Sequence, residues 1–165
     1  MVEFVRTNNP SKLFRRTRLL LAKCEENPPP MEDAIRNGYI DLVLRLIEQV
    51  GDASPSTSLL ERVNHQGQTP LLVSAELNQR TLIETLLRKR PDLSEKTDKH
   101  RNNIFHVLAR LTDDRAGETI KDVLALLPRD MQMKLLKQKN QDNHLPWQIA
   151  QMKRNTHSVD LLRVF

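Results

Sequence analysis

The sequence predicts an all-α fold in which short helix pairs stack along one axis, and three observations carry that prediction. Leucines recur in adjacent pairs, at Leu19-Leu20, Leu86-Leu87, Leu126-Leu127 and Leu161-Leu162, as they do where helices pack through aliphatic stripes. Aromatics make up 4% of the residues and glycines number four, a composition that favours helices over a sheet. A turn-and-helix motif opening at Thr69-Pro70 returns in altered form 34 residues later, and a period in the thirties marks a solenoid. With 165 residues and 38% hydrophobic content the chain can close one modest core or one short stack, and two large domains do not fit.

The N-terminal 30 residues stand apart. They hold six basic and three acidic side chains, and so three of the five net positive charges. In the stretch from Lys12 to Lys23, Leu13, Phe14, Leu20 and Leu21 share one helical face, with Arg15, Arg16 and Arg18 among the polar residues. This reads as a capping helix with a solvated basic face. The other reading is a nuclear-import or nucleic-acid patch, for which three arginines in four residues are a nonspecific motif. Asn27-Pro28-Pro29-Pro30 stops a helix, because each proline removes a donor and clashes with the preceding turn, so a boundary falls between 1–30 and 31–165.

Four units follow, over about 31–50, 64–97, 98–139 and 140–165. The first keeps Ala34-Ile-Arg-Asn-Gly38 and the aliphatic run through Ile47 but lacks a turn. The linker after it, Gly51-Asp-Ala-Ser-Pro-Ser-Thr-Ser58, is rich in turn formers; Ser54-Pro55 reads as an exposed loop or as a substrate of a proline-directed kinase. Asn64-His-Gln-Gly-Gln-Thr-Pro-Leu-Leu-Val-Ser-Ala75 opens the second unit, with Leu82-Ile83 and Leu86-Leu87 as its second helix. The third opens on Asp98 and Phe105-His106, and the fourth on Asn140, 42 residues after the equivalent position of the third. The eight extra residues are expected around Pro128-Arg129-Asp130, splitting 118–127 from 131–136 as two helices.

These motifs resemble the ankyrin repeat, whose signature runs Asp-x-x-Gly-x-Thr-Pro-Leu-His-x-Ala-Ala. In the second unit Gly67, Thr69, Pro70 and Leu71 match, Asn64 replaces Asp and Leu72 replaces His. In the third, Asp98, Phe105, His106 and Ala109 match, while Arg101, Asn103 and Ile104 replace Gly, Thr and Pro; in the fourth, Asn143 and Trp147 stand at the Gly and Leu positions. The resemblance implies an ankyrin-repeat solenoid of about four diverged helix-turn-helix units with an extra N-terminal helix. It also implies a protein partner, bound on a curved groove of turn tips and first helices. The family's variable contact positions fall on Arg36 in the first unit and on His65, Gln66, Gln68, Glu76 and Leu77 in the second. In the third they fall on Lys99, His100, Asn102, Arg110 and Leu111, and in the fourth on Gln141, Asp142, His144, Met152 and Lys153. Lys96, Lys99, Arg101 and Arg110 make the middle of this groove basic, which either favours an acidic or phosphorylated segment or serves solubility alone.

No catalytic motif is present: the sequence holds no Gly-rich phosphate loop, no Gly-x-Ser-x-Gly elbow and no His-Glu-x-x-His helix. The acidic doublets Glu25-Glu26 and Asp113-Asp114 read as exposed charge. His106 is expected to be a partly buried histidine bonded to backbone or to Asn103, and His65, His100, His144 and His157 are too scattered for a metal site. The single Cys24 permits no internal disulfide or cysteine-based zinc site and has no visible base partner. No cofactor, small-molecule substrate or enzymatic activity is therefore expected. The longest apolar run near the N-terminus is 19–22, too short for a signal peptide or membrane span, so a cytoplasmic or nuclear address is expected.

Within the ankyrin class, Asn64 to Leu71, the run Glu76-Leu-Asn-Gln-Arg-Thr-Leu-Ile83, the long insertions and Asn-Ile-Phe-His at 103–106 are similar to the inhibitor-of-NF-κB (IκB) branch, including its nuclear members and short viral mimics. That resemblance implies a partner with a Rel-homology region, or an adaptor of the same pathway, and a role in immune signalling. The chain lacks an Asp-Ser-Gly-x-x-Ser degron, so signal-triggered destruction is not implied, and no acidic tail follows Phe165 in this sequence. Two alternatives remain: a generic ankyrin adaptor for an acidic peptide, with steeply salt-dependent affinity, and direct nucleic-acid contact through Arg15, Arg16 and Arg18.

Overall fold

A computed structural model of the chain describes residues 30–49, 59–112 and 115–163. The basic segment at 12–23, Cys24, Ser54-Pro55 and the Asp113-Asp114 pair lie outside these residues. Within them the fold is all-helical: α1 (Pro30–Arg36), α2 (Ile40–Gln49), α3 (Pro70–Glu76), α4 (Arg80–Lys89), α5 (Ile104–Ala109), α6 (Arg115–Leu126), α7 (Arg129–Leu136), α8 (Pro146–Met152) and α9 (Thr156–Leu162). A short 3-10 turn, Pro91–Glu95, follows α4. The chain breaks at Pro128, between α6 and α7, where the extra residues of the third unit were expected.

The first helices of the units, α1, α3, α5 and α8, pack side by side in one row, and α2, α4, α6 and α9 form the second row behind them. Helices of six or seven residues are marginal alone, so the first row owes its existence to packing and to its caps. Every residue of α5 is buried, as are the first six of α3. Thr69 caps α3, its hydroxyl accepting from the Leu72 amide at 3.4 Å, and Pro70 sits in the first turn, where a missing N–H costs nothing. Asn103 takes the cap of α5, its Oδ1 accepting from the Phe105 and His106 amides. In α8 Pro146 again opens the helix, and Gln148 reaches back to accept the Leu145 amide at 2.8 Å.

The second row buries one face only. In α4 this face is Leu82, Ile83, Leu86 and Leu87, spaced one helical turn apart, and in α6 it includes Ile120 and Val123. Outward polar groups tie neighbouring second helices: Arg80 of α4 pairs with Glu118 at 2.9 Å and with Asp122, both on α6. The inserted α7 buries Leu135 and Leu136 and is anchored by Gln132, whose Nε2 donates to the carbonyls of Leu124 and Leu127. Gly38, Asn78 and Arg154 turn the chain between first and second helices with positive φ.

Candidate functional site

The turn tips of the second, third and fourth units are built alike. Residues 64–68, 98–102 and 140–144 each close through a backbone hydrogen bond from the first residue's amide to the fifth residue's carbonyl. In each, the side chain of the first residue, Asn64, Asp98 or Asn140, accepts from the amides two and four positions on. The fourth residue, Gly67, Arg101 or Asn143, takes positive φ. Adjacent tips are stitched together: the Lys99 amide donates to the Gln66 carbonyl at 3.1 Å, and the Gln141 amide to the His100 carbonyl at 2.8 Å.

A buried polar chain runs beneath the tips. Asn140 Nδ2 donates to Asn102 Oδ1 at 3.0 Å, and Asn102 Nδ2 donates to both oxygens of Asp98. Asn102 is fully buried, so of the expected contact residues it is withdrawn from the surface: burial without these partners would strand an amide. Gln68 is likewise 8% exposed, its amide donating to Glu76 and its carbonyl accepting from Asn64. His106 is buried; Asn103 N donates to Nδ1 at 3.2 Å, and Nε2 lies 3.1 Å from the His144 carbonyl, which ties the third unit to the fourth. Burial holds its pKa down at about 4, against an ordinary 6.5, so the ring is neutral near pH 7.

The structure brings most of the expected second- and third-unit residues to one cleft of about 520 Å³. His65, Gln66, Gln68 and Glu76 form one side, and Lys99, His100, Arg110 and Leu111 the other, with Asp98 and Val107 also lining it. Val107 was missed in the sequence; its position between the capped start of α5 and Arg110 is the signal that points to it. Arg36 stands beside Gln68 and bonds Glu76 at 3.1 Å and Glu32 at 2.8 Å. Leu77 is half-buried, outside the cleft. Lys96 and Arg101 also lie outside it: Lys96 pairs with Glu61 at 3.2 Å, and Arg101 is exposed on its turn. In the fourth unit Gln141, Asp142, Met152 and Lys153 are exposed and His144 is half-buried, separate from the cleft. Gln141 Oε1 lies 3.3 Å from His100 Nδ1.

Helix pairs in two rows, tips projecting from one edge and a Thr-Pro opening define the ankyrin-repeat fold. The chain is similar to the crystal structure of the ankyrin repeat domain of Bcl-3, described as a unique member of the IκB protein family, with a TM-score of 0.68 and 20% identity over 82% of this chain and 56% of that one. It is similar also to a chain in the complex of the Bd0816 predatory endopeptidase from Bdellovibrio bacteriovorus with the immunity protein Bd3460, with a TM-score of 0.58 and 19% identity over 81% of this chain and 61% of that one. In each case it spans less than two thirds of the matched chain. Neither a family model nor a curated protein sequence matches it. Among the described residues no helix is long and apolar enough to cross a membrane.

Proposed function

We propose that this chain is a non-enzymatic protein-interaction scaffold and, more finely, an IκB-like regulator that clasps a Rel-homology transcription factor or an adaptor of the same pathway, in the cytoplasm or nucleus. The observation that carries the scaffold reading is the tip row. Three turns, rigid through internal and cross-turn hydrogen bonds, hold exposed His65, Gln66, Lys99, His100, Gln141 and Asp142 side by side. Such a surface presents variable polar side chains on a fixed base, the arrangement with which solenoids bind proteins. The finer reading is supported by the motif resemblance at 64–83 and 103–106 and by the fold shared with an IκB member.

The test is calorimetric titration of the full chain against a purified Rel-homology dimer at low and moderate salt, beside affinity capture from lysate under both conditions. The expected result is saturable binding at both salts, reduced by a His65→Ala/His100→Ala double variant. Absence of binding to the dimer, with capture only of acidic proteins that leave as salt rises, would overturn the Rel assignment and leave the scaffold.

A further inference from the structure

We infer that the cleft between the second and third turn tips seats an acidic segment of a protein partner, one with carboxylate or phosphate groups beside aliphatic side chains. This deepens the scaffold reading and rests on it. Two carboxylates line the cleft, and both are already engaged: Asp98 holds its own turn through the amides of His100 and Asn102 and the side chain of Asn102, and Glu76 Oε2 accepts from Arg36 and Gln68. Two cations line it as well, Lys99 and Arg110, both exposed, and neither has an ion pair or side-chain hydrogen bond among the described residues. By contrast Arg36, Arg80, Arg90, Lys96 and Lys134 are all ion-paired. Lys99 and Arg110 thus line the same cleft as cations that the described residues leave unpaired, while the cleft's own carboxylates are held by other partners.

The placement of Lys99 is built into the turn stack. Its amide bonds the Gln66 carbonyl, and its Cγ lies 2.9 Å from where a Cβ on residue 67 would stand, so Gly67 is what lets the lysine stem lie across the neighbouring turn. Arg110 caps the C-terminal end of α5, its backbone N–H donating to the Val107 carbonyl. Val107 and half-buried Leu111 give the same cleft an apolar wall. A forked guanidinium and an ammonium select oxyanions, and the apolar wall selects aliphatic neighbours. A nucleic-acid strand is the poorer fit, because each neutralised phosphate needs its own cation and Glu76 adds a carboxylate to the wall.

The experiment is fluorescence anisotropy of the full chain with a labelled peptide of alternating Glu and Leu, its Gln counterpart, a phosphoserine version and a single-stranded RNA oligonucleotide. The Glu and phosphoserine peptides are expected to bind, and the Gln peptide about tenfold more weakly. Lys99→Glu and Arg110→Glu should each weaken binding about tenfold, Glu76→Gln should tighten it, and Arg88→Glu and Lys121→Glu, exposed on second-row helices away from the cleft, should leave it within about twofold. Unchanged melting temperatures certify that each variant is folded. Equal loss in all four charge reversals, no preference over the Gln peptide, or tighter binding of the RNA would overturn the proposal. A Rel-homology dimer bound equally by wild type and Lys99→Glu/Arg110→Glu would sink the cleft while sparing the scaffold. Peptide binding as expected without any binding to the dimer would retain the cleft and remove the Rel assignment.

Discussion

At the scale of single residues, the turn tips differ in how comfortably they adopt one backbone shape. The fourth position of each turn has φ near +60 to +76°, a region that a Cβ penalises and glycine enters freely. Gly67 meets that demand freely and Asn143 tolerates it, whereas Arg101 meets it under strain. Arg101→Gly is therefore expected to stabilise the protein by on the order of 1 kcal/mol, a rise in melting temperature of about 2–4 °C. Gly67→Ala should destabilise by at least as much, since its new methyl would also press on Lys99; calorimetric melting of the two variants checks both signs. His106 supplies a pH dependence. Its folded pKa of about 4 lies below the ordinary 6.5, so the unfolded chain takes up the proton first. Stability from this residue is intact above about pH 6.5, declines as pH falls toward 4, and is then lower by on the order of 3 kcal/mol. Urea midpoints measured from pH 7 to 4 should fall more steeply for wild type than for His106→Gln, and parallel curves would remove the assignment.

At the scale of elements, the second-row helices carry their weight through one buried face. Leu86 on α4 and Leu162 on α9 are both fully buried, and replacement of either by Ala should cost about 2–5 kcal/mol. Leu86 is expected at the upper end, because α4 packs against both α2 and α6 and offers little room to collapse around a void. Chemical denaturation measures the difference, and an unchanged midpoint for both would mean the helical register is wrong. Much of this level was legible beforehand. Leu82, Ile83, Leu86 and Leu87 announce their shared face by spacing, Pro70 and Pro146 announce helix starts, and Pro128 announces the break between α6 and α7. The expected bond of His106 to Asn103 is local, three residues apart, and is present.

At the scale of the whole molecule, stability propagates between neighbouring units, since a solenoid has no contacts between distant ones. Inter-unit ties are named bonds: Arg36 to Glu76, Arg80 to Glu118, His106 to the His144 carbonyl and Asn155 Nδ2 to the Leu111 carbonyl. Units two and three sit between neighbours on both sides, and α3 and α5 are almost wholly buried. Native-state hydrogen exchange should therefore protect amides of α3 to α5 most strongly, with α1 and α9 opening at lower free energy. A partner bound at the tips should slow exchange at 64–68 and 98–102 first, and protection confined to the second row would place the binding surface elsewhere.

What the sequence by itself determined is everything set by short-range spacing: helix faces, caps, the repeat period and the three turns, each begun by Asn64, Asp98 or Asn140. Helix faces and turns depend on residues within about one helical turn of each other, where geometry leaves few choices, and the period is read by comparing one such motif with the next. The tertiary structure alone decided which polar residues stay available. Asn102 and Gln68 were expected at the surface with their turn neighbours, yet stacking brings Asn140 onto Asn102 from 38 residues away and Arg36 of the first unit beside Gln68. The same stacking paired Lys96 with Glu61 and left Lys99 and Arg110 facing the cleft. Charge at a position is local, but its neutralisation depends on which side chains the packed units bring within a few ångströms, and only the assembled stack determines that.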